Sequence, residues 1–126
     1  MCLLVGSDHP LAGGRRRVRL DTLADATWAE DNPGSERMLV QAAGRSGFEP
    51  RIQLEAGDLL GKVALVAAGL AVALVPGLLV PALQAGVAVR RLVDPPTRGV
   101  YVVRRAVRPR SGVQELVAAL VGAAKG

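Results

Sequence analysis

The period of the hydrophobic positions changes along the chain, and each change marks an element. Leu3 to Val5 is a short apolar run closed by Gly6, Ser7 and Asp8, which predicts a strand and a turn. His9-Pro10-Leu11-Ala12 follows, then an exposed glycine and arginine stretch through Arg17. Val18 and Leu20 alternate with polar residues, and Asp21 to Asp25 reads as one helical turn before a strand over Thr27 to Ala29. Asn32-Pro33 predicts a helix start, because an Asn side chain accepts from the free N–H groups and a proline there loses no bond. Met38, Leu39, Ala42 and Ala43 share one face of that helix, and Gly47 supplies a left-handed stop.

Phe48-Glu49-Pro50 leads into a strand over Arg51 to Glu55. Gly57-Asp58 opens the next helix, with Asp58 as cap, Leu59, Leu60, Val63, Ala64 and Ala67 as its buried stripe, and Gly69 as its end. Ala71 to Val75 predicts a buried strand, Leu78 to Gln84 a short irregular helix, and Val87 to Leu92 another strand. Asp94-Pro95-Pro96 is a turn before a strand over Gly99 to Arg104. Ser111 with Gln114 fits a capping box, and Val113, Leu116, Val117, Leu120, Val121 and Ala124 recur at helical spacing. Strands alternating with helices predict an α/β layered domain with a largely parallel sheet.

Val63 to Leu83 carries no charge and is long enough to span a bilayer, which sets a small single-span membrane protein against the soluble reading. Gly69, Pro76, Gly77 and Pro81 interrupt it, and two prolines would break the hydrogen bonding of one spanning helix. A buried strand between two helical pieces accounts for the same apolarity, so no membrane partner is expected.

Half of the 126 residues are hydrophobic and 21% are charged, enough apolar surface for a folded core and too little charge for a disordered chain. The net charge of +5 raises nucleic acid as a partner, but the cations are scattered over Arg15 to Arg17, Arg19, Arg90, Arg91, Arg104, Arg105, Arg108 and Arg110. No aromatic alternates with them, so no base-stacking surface is expected. Cys2 is the only cysteine, which excludes a disulfide framework and a thiolate metal cluster. No secretory leader is seen, so a cytoplasmic protein is expected.

The order of these pieces resembles the regulatory domain of LysR-type transcription regulators. The resemblance is carried by Leu4-Val5 with His-Pro-Leu-Ala, Leu23-Ala24-Asp25 before Trp28, and Gly47-Phe48-Glu49-Pro50. Val66 to Leu70, Val72 to Pro76, and Gly86-Val87 with its strand complete it. It implies an α/β fold like the type-2 periplasmic binding proteins: two lobes joined by crossing strands, with a small-molecule effector in the cleft. Residues 12–99 would form a complete second lobe. Residues 1–11 and 100–126 would be crossing and first-lobe elements, with Leu3 to Val5 and Val100 to Val103 as the crossing strands. The family's winged helix-turn-helix, linker helix and opening half of the first lobe have no counterpart in this sequence. DNA would then be reached only through that N-terminal domain, and a homodimer is implied for the intact protein. A solute-binding protein of the same fold is the other reading.

In open α/β sheets ligands sit beyond the carboxyl ends of strands, near helix N-termini. The resemblance favours the junction at Gly57, Asp58 and Leu59 for effector contact, with Asn32 and Ser35 at the start of the preceding helix next. Helix capping by Asn32 and Asp58 explains the same residues equally well. His9 is the only histidine, so no His-based triad or multi-histidine metal site is expected, and its place before Pro10 suits a turn. Glu30 and Asp31 are adjacent, and neighbours along a strand point apart, which makes a poor acid–base pair. Gly13-Gly14 lacks the residues of a phosphate loop. No enzymatic activity, metal or cofactor is expected.

Overall fold

The structure is a computed structural model that describes residues 1–105 and 110–125; Arg108 lies outside the described residues. In chain order it has β1 (Cys2–Gly6), β2 (Thr27–Glu30), α1 (Pro33–Arg45), β3 (Arg51–Glu55), α2 (Leu59–Ala67), β4 (Ala73–Val75), β5 (Val87–Arg90) and α3 (Val113–Lys125). Two 3₁₀ turns intervene, at Leu20–Leu23 and Gly77–Ala82.

β1 is the middle strand of a trio, antiparallel to β4 on one side and to β5 on the other. β2 and β3 pair in parallel. A parallel bridge between Trp28 and Val72 joins the two groups: Ala29 N–H donates to the Val72 carbonyl at 3.0 Å and Val72 N–H to the Thr27 carbonyl at 2.9 Å. The strands therefore run β3-β2-β4-β1-β5 across one layer. β2, β3, β4 and β5 point the same way, as a strand–helix alternation requires, and β1 alone runs against them. The expected largely parallel sheet is thus mixed, because β1 inserts between two parallel strands and turns both of its own pairings antiparallel. Leu3 to Val5 lies within β1, the middle strand of the three-stranded group.

Side chains alternate across β1, and the core divides accordingly. Leu3 and Val5 pack with Trp28, Leu39, Ala42, Val72 and Leu74 on the α1 side. Leu4 packs with Val63, Val66, Ala73 and Val75 on the α2 side. One helix covers each face, which buries both sides of the strands.

Three expectations change. The buried stripe of α2 is Lys62, Val63 and Val66, with Leu59 half-buried, while Leu60 is 79% exposed and Ala64 is exposed. A helix this uniformly apolar has no polar side to set its rotation, so tertiary contacts set it. Gly99 to Arg104 forms no strand: no partner among the described residues offers it a ladder, and Val100, Tyr101 and Val103 are exposed. α3 begins at Val113 and buries none of its side chains; Leu116, Leu120 and Val121 face outward.

Val63 to Leu83 is divided among the end of α2, β4 and the second 3₁₀ turn. Among the described residues no helix is long and apolar enough to cross a membrane, which removes the single-span reading.

Candidate functional site

At the carboxyl ends of β2 and β4 the chain turns into α1 and the second 3₁₀ turn, and a cleft of about 340 Å³ opens there. Met1, Asn32, Ser35, Met38, Leu59, Lys62, Leu74 and Arg98 are among its lining residues. This is the end of a parallel layer at which α/β proteins hold ligands. A larger hollow of about 480 Å³ lies at the opposite end, beside His9 and Gly69, where β2 begins and α2 ends. Among the described residues no helix N-terminus opens into it, so it lacks the array of N–H groups that such a terminus offers an anion.

The floor of the cleft is tied together by Lys62. Its Nζ donates to Glu30 Oε2 at 2.8 Å, Asp31 Oδ1 at 3.1 Å and Ser35 Oγ at 2.9 Å. An ammonium has three N–H bonds, so its valence is filled. Lys62 is 1% exposed, which it can be only because two carboxylates offset its charge. Glu30 and Asp31, expected to point apart, reach the same ammonium because Asp31 lies beyond the end of β2, where strand alternation no longer holds. Glu30 Oε1 and Trp28 Nε1 are buried without a protein partner among the described residues.

Asn32 caps α1: its Oδ1 accepts the Ser35 N–H at 2.9 Å. That bond fixes the first turn of α1 beside the cleft, where Ser35 Oγ separately accepts from Lys62. Of the five residues singled out from sequence, Asn32, Ser35 and Leu59 meet in the cleft. Gly57 and Asp58 are exposed and do not line it; Asp58 caps α2, its Oδ1 accepting the Gly61 N–H at 2.8 Å. His9 serves its turn, Nδ1 accepting the Leu11 N–H at 3.1 Å. Sequence reasoning missed Lys62, Met1 and Arg98, and weighed Asp31 only as a poor acid–base partner of Glu30. The signal for Lys62 was available, since it is the only charge in the apolar run from Leu59 to Ala67 and falls three residues after Leu59.

A profile described as the LysR substrate binding domain matches residues 1–125. The chain belongs to the LysR substrate-binding domain family. No curated protein sequence matches it. Among solved structures, the LysR substrate-binding domain is similar to the C-terminal domain of a probable LysR family regulator from Rhodococcus sp. RHA1. That match has 27% identity and a TM-score of 0.62, over 76% of this chain and 49% of the other. The OxyR C206 mutant of Corynebacterium glutamicum matches at 24% identity with a TM-score of 0.68, over 98% of this chain and 41% of its own. HinK of Pseudomonas aeruginosa, a LysR family regulator, has a TM-score of 0.63 at 19% identity, over 78% of this chain and 35% of its own. The chain spans about half or less of these solved chains. The fold of this LysR substrate-binding domain is the mixed α/β fold of the type-2 periplasmic binding proteins.

Proposed function

We propose that this chain is the effector-sensing part of a LysR-type transcription regulator, and that a small polar metabolite binds in the cleft at the carboxyl ends of β2 and β4. The cleft itself carries the reading. Asn32 commits its amide oxygen to the helix cap and keeps its NH₂ group for a ligand. Ser35 accepts from Lys62 and keeps its hydroxyl proton, and Arg98 adds an exposed guanidinium at the rim. Leu59 and Met38 supply apolar wall. Such a set of donors over a short apolar surface suits oxygen-rich ligands, hydroxylated or carboxylated. The effector-binding domain of QuiR, solved in complex with shikimate, shares the fold at 20% identity and a TM-score of 0.61, which makes shikimate a reasonable first probe.

On this reading the whole regulator is a cytoplasmic homodimer that reaches DNA through an N-terminal winged helix and catalyses no reaction. Gly57 and Asp58 contribute by capping and shaping the start of α2, while Asn32, Ser35 and Leu59 contact the effector. A thermal-shift screen of hydroxy acids and carboxylates on the whole regulator tests it. A ligand at a hundred times its Kd stabilises the native state by about 2.7 kcal/mol, a readily measured rise in Tm. Asn32→Ala should abolish that rise for the responding ligand. The reading is refuted if a ligand does bind but the rise survives substitution of Asn32 and of Ser35.

A further inference from the structure

The loop from Leu11 to Arg17 closes over a buried cation. Arg90, at the end of β5, is 6% exposed, and its guanidinium donates to the main-chain carbonyls of Leu11 and, at 2.6 Å, of Arg16. Among the described residues no carboxylate pairs with it. Buried arginines ordinarily stand opposite an acid, because an uncompensated charge is costly to desolvate. Here two carbonyl dipoles hold the guanidinium and its positive charge stays uncompensated. Gly14 marks how closely the loop approaches: a Cβ there would lie 2.5 Å from the Arg90 Nη1, and a guanidinium tied on both sides cannot step away.

What this clamp displays is Arg15, Arg16 and Arg17, all exposed. A fourth cation joins them through a short parallel ladder. Val18 N–H donates to the Arg91 carbonyl and Val93 N–H to the Val18 carbonyl, both at 2.8 Å, so Val18 stands opposite Leu92. Both of those side chains are buried, so Arg17 and Arg91, one residue earlier on each segment, stand together on the solvent side. Neighbouring strands are about 4.8 Å apart, which sets the two arginines side by side. No acid occurs between His9 and Leu20 or between Leu83 and Val93, and Asp21 is taken by Arg19.

We propose that this patch docks on the phosphodiester backbone of duplex nucleic acid, without reading its sequence. The planar fork of arginine matches phosphate oxygens, and the loop holding it is already organised by Arg90. No aromatic side chain lies on the patch to stack on unpaired bases, which favours a duplex over a single strand. An acidic protein would meet the same charge. Stable protein interfaces, however, are anchored by clusters of aromatic or large apolar side chains, and this patch offers a single half-exposed valine, Val93, while Val18 and Leu92 point inward. The proposal is independent of what occupies the cleft.

Fluorescence anisotropy of the full chain with short labelled duplexes of two unrelated sequences tests it. The two should bind equally well, with affinity falling about a hundredfold between 50 and 200 mM salt, as about four phosphate contacts require. The variant carrying Arg15→Ala, Arg16→Ala, Arg17→Ala and Arg91→Ala should lose binding. A charge-matched variant with Arg51→Ala, Arg104→Ala, Arg105→Ala and Arg110→Ala should stay within about fivefold of the parent, since charge lost outside the patch removes none of its phosphate contacts. Circular dichroism checks that each variant folds. If the first does not, Arg17→Ala with Arg91→Ala carries the test and should cut the salt dependence by about half. No duplex binding at 50 mM salt, equal losses in both variants, or binding to poly-glutamate in place of DNA would overturn the proposal, the last by assigning the patch to an acidic protein.

Discussion

The Nζ of Lys62 donates to Oε2 of Glu30 at 2.8 Å, and both side chains are almost wholly removed from solvent. The bond joins α2 to the end of β2, 32 residues apart in sequence, and through Asp31 and Ser35 it also fixes the start of α1. Such a pair adds little net stability as a pair, because desolvation offsets the attraction, but breaking one side strands the other.

Lys62→Met should therefore destabilise the fold by about 3–5 kcal/mol, since it strands the buried Glu30 carboxyl and its neighbour Asp31 without their hydrogen-bonding cation. Urea unfolding measures it. Adding Glu30→Gln to Lys62→Met should restore part of the loss, because it removes the buried charge left behind. A single-variant loss under about 1 kcal/mol would show the ammonium to be dispensable.

The two helix caps act through one bond each. Asn32→Ala and Asp58→Ala should each cost about 1 kcal/mol, for each removes the side-chain acceptor that caps its helix. Chemical denaturation reads both, and the slope against denaturant should not change, as no extra surface is exposed.

Gly47 and Gly57 separate backbone strain from crowding. A Cβ at either position would meet nothing within 4 Å, but Gly47 has a φ of +84°. Gly47→Ala should cost about 1–2 kcal/mol, the penalty of a left-handed conformation for an L side chain. Gly57→Ala should be neutral or gain up to about 1 kcal/mol by restricting the unfolded chain. Equal effects at the two sites would refute this assignment.

The exposed Arg19–Asp21 pair gives a pH dependence of known sign. Arg19 donates to Asp21 at 2.6 Å, and this hydrogen bond holds the Asp21 carboxyl below its usual range. A carboxyl whose folded pKa lies below its unfolded one contributes stability above the unfolded value, about 3.9, and loses it as pH falls through the folded one. The Tm of the parent should exceed that of Asp21→Asn by a constant margin above about pH 5, and the margin should shrink toward pH 3. A margin that widened with acid would contradict the pairing.

Local chemistry is legible in the sequence. Asn32-Pro33 and Asp58 start their helices where capping predicts, and Arg51–Glu55 is a strand with the expected bounds, because each depends on neighbours in sequence. The family, and with it the fold, was legible from the order of such pieces. What depended on distant partners was not. The rotation of α2 follows from two carboxylates some thirty residues away, so an apolar stripe drawn through Leu60 and Ala64 missed Lys62 and Val66. The direction of β1 follows from its insertion between β4 and β5, which no periodicity records. Val100 to Val103 has the composition of a strand and no ladder to join among the described residues.

Trp28 is the chain's one tryptophan, completely buried, and its backbone forms the bridge that joins the two groups of strands. Its indole emission is consequently an intrinsic optical probe of that seam alone. Light from the native protein should be blue-shifted, and a red shift during unfolding would time the parting of β2 from β4 without any attached dye. The three-stranded half could open at its far edge and leave that signal unmoved.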